Sequence, residues 1–108
     1  MVSKLRDGRL VELQSEKQTE RYLCRMVKAL GGECYKWVSP GCSGVPDRIV
    51  ILPGGKIFFV ELKSEGRKST MLQKIRQAEL RELDCTVYAD VDTTEKVKEV
   101  LEHEIQSA

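Results

Sequence analysis

Two strand-like runs separated only by Pro53-Gly54-Gly55 constrain this chain most. Asp47 to Leu52 (D-R-I-V-I-L) and Lys56 to Lys63 (K-I-F-F-V-E-L-K) are rich in β-branched and aromatic residues. A three-residue turn leaves them one arrangement, an antiparallel hairpin. A turn centred on Gly54 sets Leu52 opposite Lys56, Val50 opposite Phe58 and Asp47 opposite Glu61, unless a bulge moves the register by one residue. Opposed side chains on one face lie about 5 Å apart at Cβ, and two carboxylates so placed repel. A divalent cation between them removes that cost, since Mg²⁺ takes a few carboxylate oxygens together with water and phosphate. Lys63 shares parity with Glu61 and projects from the same face. An ammonium there can orient a water or offset charge on a phosphate. The three residues suit a metal-dependent hydrolytic site; on a solvated hairpin end they would be ordinary surface charges.

The flanks predict a mixed sheet with helices around it. Ser15-Glu16-Lys17-Gln18 has the form of a capping box, and Tyr22, Leu23, Met26, Val27 and Leu30 follow at helical spacing up to Gly31-Gly32. Glu33 to Val38 reads as a strand and Ser39 to Pro46 as a loop. After the hairpin come a polar loop from Ser64 to Lys68 and a helix capped by Thr70 and running to Leu83. Its apolar positions are Met71, Leu72, Ile75, Ala78, Leu80 and Leu83. A strand at Cys85 to Ala89 and a helix at Thr93 to Ile105 complete the order. Residues 1–14 read either as a short hairpin turning at Asp7-Gly8 or as a loose leader.

A chain of 108 residues with 41% hydrophobic and 32% charged side chains is expected to form one soluble domain over 1–108 rather than a disordered segment. The apolar runs fall far short of the ~20 residues that span a bilayer, so no membrane partner is expected. No secretory signal is visible, and Cys24, Cys34, Cys42 and Cys85 lack metal-knuckle spacing. They read as reduced thiols in a cytoplasmic protein, of a bacterium or a phage-infected host. The net charge of +1 hides a basic body and an acidic end: residues 82–108 carry two basic and eight acidic side chains. One basic face could therefore meet a polyanion. Lys17, Arg21, Arg25 and Lys28 follow one another along the first helix, where they form either a phosphate-binding stripe or a solubilising face. Tyr35 and Trp37 alternate on one strand face and suit packing ahead of base stacking.

Pro46-Asp47 followed by Glu61-Leu62-Lys63 matches the PD-(D/E)XK signature. S-E-K-Q-T-E-R-Y-L, L-G-G, S-P-G-C-S-G-V-P-D-R-I-V, F-V-E-L-K and a helix bearing Gln73 occur in that order. From about Ser15 to about Leu101 the chain resembles a stand-alone VRR-NUC domain. The resemblance implies an α/β, restriction-endonuclease-like αβββαβ core and hydrolysis of DNA phosphodiesters with Mg²⁺ or Mn²⁺, leaving a 5′-phosphate and a 3′-hydroxyl. It assigns metal binding to Asp47, Glu61, the Leu62 backbone carbonyl and Glu20, with Glu16 one turn earlier as the fallback. It assigns catalytic roles to Glu20, Asp47, Glu61, Lys63 and Gln73, although Gln73 could serve only a Thr70 capping box. Where some members carry V-R-R, this chain reads Val45-Pro46-Asp47-Arg48, and no group needed for the chemistry is lost.

DNA contacts are expected from Lys17, Arg21, Arg48, Arg67 and Lys68, and from Ser43 and Gly44 in the loop before Asp47. Resolving a four-way junction takes two symmetric nicks, which a twofold homodimer supplies. The expectation is a structure-selective endonuclease acting as a homodimeric Holliday-junction resolvase on branched DNA. The leader, with Leu5, Leu10, Val11 and Leu13, and the Tyr35–Trp37 strand are its candidate interfaces. The alternatives are a flap or nonspecific nickase and a catalytically silent DNA-binding module.

Overall fold

Ser15 Oγ accepts from the Gln18 backbone N–H at 3.1 Å and the Gln18 side chain returns the bond, so the capping box closes and starts α1, Glu16–Ala29. The computed structural model describes residues 3–107. Before α1 stand β1, Ser3–Arg6, and β2, Arg9–Glu12, which pair antiparallel. Asp7 and Gly8 both have positive φ (52° and 74°), as a two-residue primed turn requires. The leader is thus a hairpin. Lys4 pairs with Glu65 and Arg6 with Glu95, which holds it to the body.

After α1 come β3, Glu33–Lys36, β4, Arg48–Leu52, β5, Lys56–Leu62, α2, Met71–Glu82, β6, Val87–Val91, and α3, Thr94–Gln106. The strands form one sheet in the order β3-β4-β5-β6, antiparallel except for the parallel β5–β6 pair. Within it α1 through β6 realise the αβββαβ order. Gly54 and Gly55, at φ 90° and 79°, make the turn between β4 and β5, a conformation in which a Cβ would be strained. The register sets Leu52 against Lys56 and Val50 against Phe58 with no bulge at the turn; the irregularity falls instead between β5 and β6 at Val60/Leu62.

Parity divides the sheet. Val50, Leu52, Phe58, Val60 and Leu62 face one side and are buried with Leu23 and Val27 of α1 and Val97, Val100 and Leu101 of α3. Phe58 meets Tyr88 edge-on at 5.4 Å. The other side carries Tyr35, Ile49, Ile57 and Phe59, with Trp37 against Phe59 at 5.3 Å. α2 lies over this side near β6 and leaves much of it open.

On α2 Met71, Leu72, Ile75 and Leu83 are exposed, and Gln77 is the buried residue. The helix is turned so that Gln77 reaches Ser69 Oγ at 2.9 Å, and these apolar side chains are left to solvent. The last strand is Val87–Val91 rather than Cys85 to Ala89. Asp84 takes a left-handed φ of 64° and the Cys85 N–H returns to the Leu80 carbonyl at 3.0 Å, so the end of α2 consumes both residues. Among the described residues no helix is long and apolar enough to cross a membrane.

Candidate active site

The hairpin register delivers the central residues. Arg48 stands opposite Val60, and Asp47 and Glu61 are the next positions outward. Asp47 Oδ2 accepts from the Leu62 N–H at 2.7 Å and ties the approach to β4 across to β5. Glu61 is 1% exposed. Its Oε2 accepts from Gln73 Nε2 at 3.2 Å and lies 3.8 Å from Lys63 Nζ. Lys63 Nζ donates to Gln73 Oε1 at 2.7 Å. The two readings of Gln73 coexist, because the same Oε1 accepts from the Thr70 N–H at 2.8 Å. The capping box fixes the amide, and the amide then spans Glu61 and Lys63.

Burial, reinforced by the adjacent Asp47, pushes the Glu61 carboxyl up to about 8, with Lys63 pulling the other way. Glu61 Oε1 is buried and has no hydrogen-bond partner. A buried carboxylate oxygen without a donor, beside a second carboxylate, is where a hard cation fits. Among the described residues no three His, Cys, Asp or Glu side chains form a ready cage. Asp47 and Glu61 offer two carboxylates, so a cation here would draw its other ligands from main chain, water or substrate.

This has a pH consequence. Glu61 binds its proton more tightly folded than at the ordinary value of 4.5. Between that value and about 8 the native state therefore holds more protons than the unfolded one, and stability falls as pH rises. In metal-free buffer the urea midpoint should drop from pH 5 to pH 8, by on the order of a few kcal/mol in stability, and Glu61→Gln should flatten the profile. A flat wild-type profile would contradict the assignment.

The structure separates the two candidate glutamates of α1. Glu20 Oε2 accepts from Arg48 Nε at 3.0 Å, and Arg48 Nη1 also donates to the Cys34 carbonyl at 3.1 Å. Arg48 has the opposite parity from Asp47 and so points toward α1. This departs from the expectations for both residues: Glu20 is engaged as an ion-pair partner rather than aimed at Asp47 and Glu61, and Arg48 is half-buried rather than presented to a ligand. Glu16, the fallback, is close enough to the centre that Asp47 adds to burial in raising its pKa, against the pull of Lys63.

Glu16, Lys63, Ser64, Arg67, Lys68 and Thr70 line a cleft of about 250 Å³. Arg67 and Lys68 are exposed there. Their loop is clasped from β6 by residues that sequence reasoning missed. Asp92 accepts from the Gly66 N–H at 2.8 Å, and Asp90 Oδ1 accepts from both Ser69 N–H and Ser69 Oγ at 2.7 Å. The available signal was two aspartates flanking Val91 at a strand end. Lys17 and Arg21 are exposed on α1 and line a different groove. The loop before Asp47 is pinned to α2: Ser43 O accepts from Arg76 Nε at 2.9 Å, and a Cβ at Gly44 (φ 88°) would stand 2.9 Å from Leu72 Cγ. The close approach that Gly44 permits is thus to α2, where a DNA backbone was expected.

No family model matches the sequence. Over 70 residues the chain is 49% identical to "Putative nuclease p44" of Acyrthosiphon pisum secondary endosymbiont phage 1, covering 65% of this chain and 75% of that one. A solved structure described as a VRR_NUC domain superimposes with a TM-score of 0.77 at 34% identity, covering 83% of this chain and 97% of that one. With the hairpin that sets Asp47 beside Glu61 and Lys63, these two similarities show that the chain belongs to the VRR-NUC family of nucleases.

Proposed function

We propose that this nuclease is a divalent-metal-dependent DNA endonuclease of the cytoplasm that acts as a homodimer on branched DNA and resolves four-way junctions. The carrying observation is the buried Glu61 carboxylate, with one oxygen unpartnered and Asp47 and Lys63 beside it. Asp47 and Glu61 would hold Mg²⁺ or Mn²⁺, joined by the Leu62 carbonyl, with Glu16 better placed than Glu20 to assist. Bound there, the cation would polarise the scissile phosphate and lower the pKa of a coordinated water. Lys63, steered by Gln73, would orient the attacking water and offset charge on the phosphate. Arg67 and Lys68 would hold the flanking phosphates at the cleft.

The dimer reading rests on unpartnered apolar surface. Tyr35 and Ile57 on the open sheet side are each 54% exposed, Met71, Leu72 and Ile75 are exposed on α2, and Leu5 and Leu10 face solvent on the leader hairpin. Exposed apolar side chains of this kind suit a self-complementary twofold interface. One experiment tests both parts. Light scattering should give about twice the 12.3 kDa chain mass, and a panel of junction, flap and linear duplex should show paired, symmetric cuts in the junction first. A monomer mass overturns the dimer. Preferential flap cutting, or equal cutting of every duplex, overturns junction selectivity.

A further inference from the structure

The cavity between α1 and the start of α3 measures about 430 Å³ and is lined by Ser15, Lys17, Gln18, Arg21, Tyr22, Arg25 and Thr94. Lys17, Arg21 and Arg25 recur every four residues, about 6 Å of helix rise apart, and form a row of cations along α1. Lys98 joins them from α3. The Arg25 guanidinium lies 5.3 Å from the Tyr22 ring centroid and Lys98 Nζ lies 6.0 Å from it, so one aromatic ring seats two cations. Among the described residues none of these four cations makes an ion pair with a carboxylate. At the α3 end of the groove, Glu95 is engaged by Arg6 and Gln14, each at 3.1 Å. Lys28, part of the stripe read from the sequence, is not part of the groove: it pairs with Glu33 at 2.9 Å.

Four gathered like charges repel one another, and a polyanion relieves that repulsion. The groove and the candidate active-site cleft both border the N-terminus of α1. Ser15 and Lys17 line the groove, while Glu16 between them lines the cleft that holds Lys63, Arg67 and Lys68. A nucleic-acid strand leaving the cleft past the N-terminus of α1 would meet this row of cations. Consecutive phosphates of one duplex strand rise about 3.4 Å and turn about the axis, so they lie roughly 6–7 Å apart, close to the ~6 Å spacing of these cations.

We propose that this groove, with Arg25 and Lys98 on Tyr22 as its far end, holds the sugar–phosphate backbone of a duplex arm beyond the scissile bond. The proposal rests on the reading of DNA as substrate. It makes arm length a determinant of affinity, because a short arm ends before the far cations.

The test uses the whole chain and fluorescence anisotropy in EDTA, with one branched substrate built with long or short duplex arms. The wild type should bind the long-armed DNA at least tenfold tighter. Arg25→Gln/Lys98→Gln should cut that advantage below threefold and make the slope of log K against log salt shallower by about two, at roughly 0.9 for each phosphate no longer neutralised. Arg25→Lys/Lys98→Arg, which keeps the charge, should retain both. An unchanged arm-length advantage and salt slope in the Gln variant overturns the proposal. Wild-type protein that shows the arm-length effect but cuts no DNA with Mg²⁺ overturns the reading of DNA cleavage and supports the groove. Wild-type protein that binds no DNA overturns both.

Discussion

Glu61→Gln and Lys63→Ala should each lower DNA cleavage at least a hundredfold while leaving the protein folded and able to bind DNA. Glu61→Gln keeps the volume of the buried side chain and removes its charge, and with it the attraction for a cation. Lys63→Ala removes the ammonium that Gln73 holds 3.8 Å from Glu61 Oε2. Losing one positioned acid–base or charge-stabilising group costs about 10² to 10⁴ in rate. Neither change touches Lys17, Arg21 or the Arg67–Lys68 loop, so affinity for DNA should survive. Single-turnover cleavage with a circular-dichroism check reads this directly. Wild-type rates in a folded variant would remove that residue from the site.

Mg²⁺ should raise the melting temperature strongly, and Asp47→Asn should abolish the rise. In the metal-free protein Glu61 is buried next to Asp47, and the strain of that arrangement appears in its raised pKa. Binding to the native state alone stabilises by mass action, about 2.7 kcal/mol at a hundred times Kd. For a domain of this length that is on the order of ten degrees. The gain should grow from pH 6 to pH 8, because below about 8 the ion must displace a proton from Glu61. Differential scanning fluorimetry measures it. An equal shift in Asp47→Asn would place the ion elsewhere.

How far the sequence was legible follows from which interactions are local. The capping boxes at Ser15 and Thr70 and the Pro53-Gly54-Gly55 turn involve residues three or four apart, so their chemistry is written in the chain itself. The turn fixed the register, and the register placed Asp47 beside Glu61. The face that α2 buries was not legible, because apolar spacing marks a stripe and does not say what covers it. There the inward position belongs to Gln77, whose Nε2 donates to Ser69 Oγ, and Ser69 Oγ in turn donates to Asp90 of β6, twenty-one residues away. Glu16 and Glu20 share one helix face, and periodicity cannot rank them. What ranks them is Arg48, whose parity on β4 turns it toward α1 and occupies Glu20. The β6 aspartates clasp the loop across more than twenty residues, a pairing no local pattern carries.

The central claim is that Asp47 and Glu61 hold the ion that makes this chain a DNA nuclease. Purified wild-type protein and Asp47→Ala should be incubated side by side with four-way-junction and linear DNA, with Mg²⁺ and with EDTA. The account predicts cutting by wild type with Mg²⁺ alone and none by Asp47→Ala under either condition. Cutting that persists in Asp47→Ala, or that EDTA leaves untouched, would contradict it.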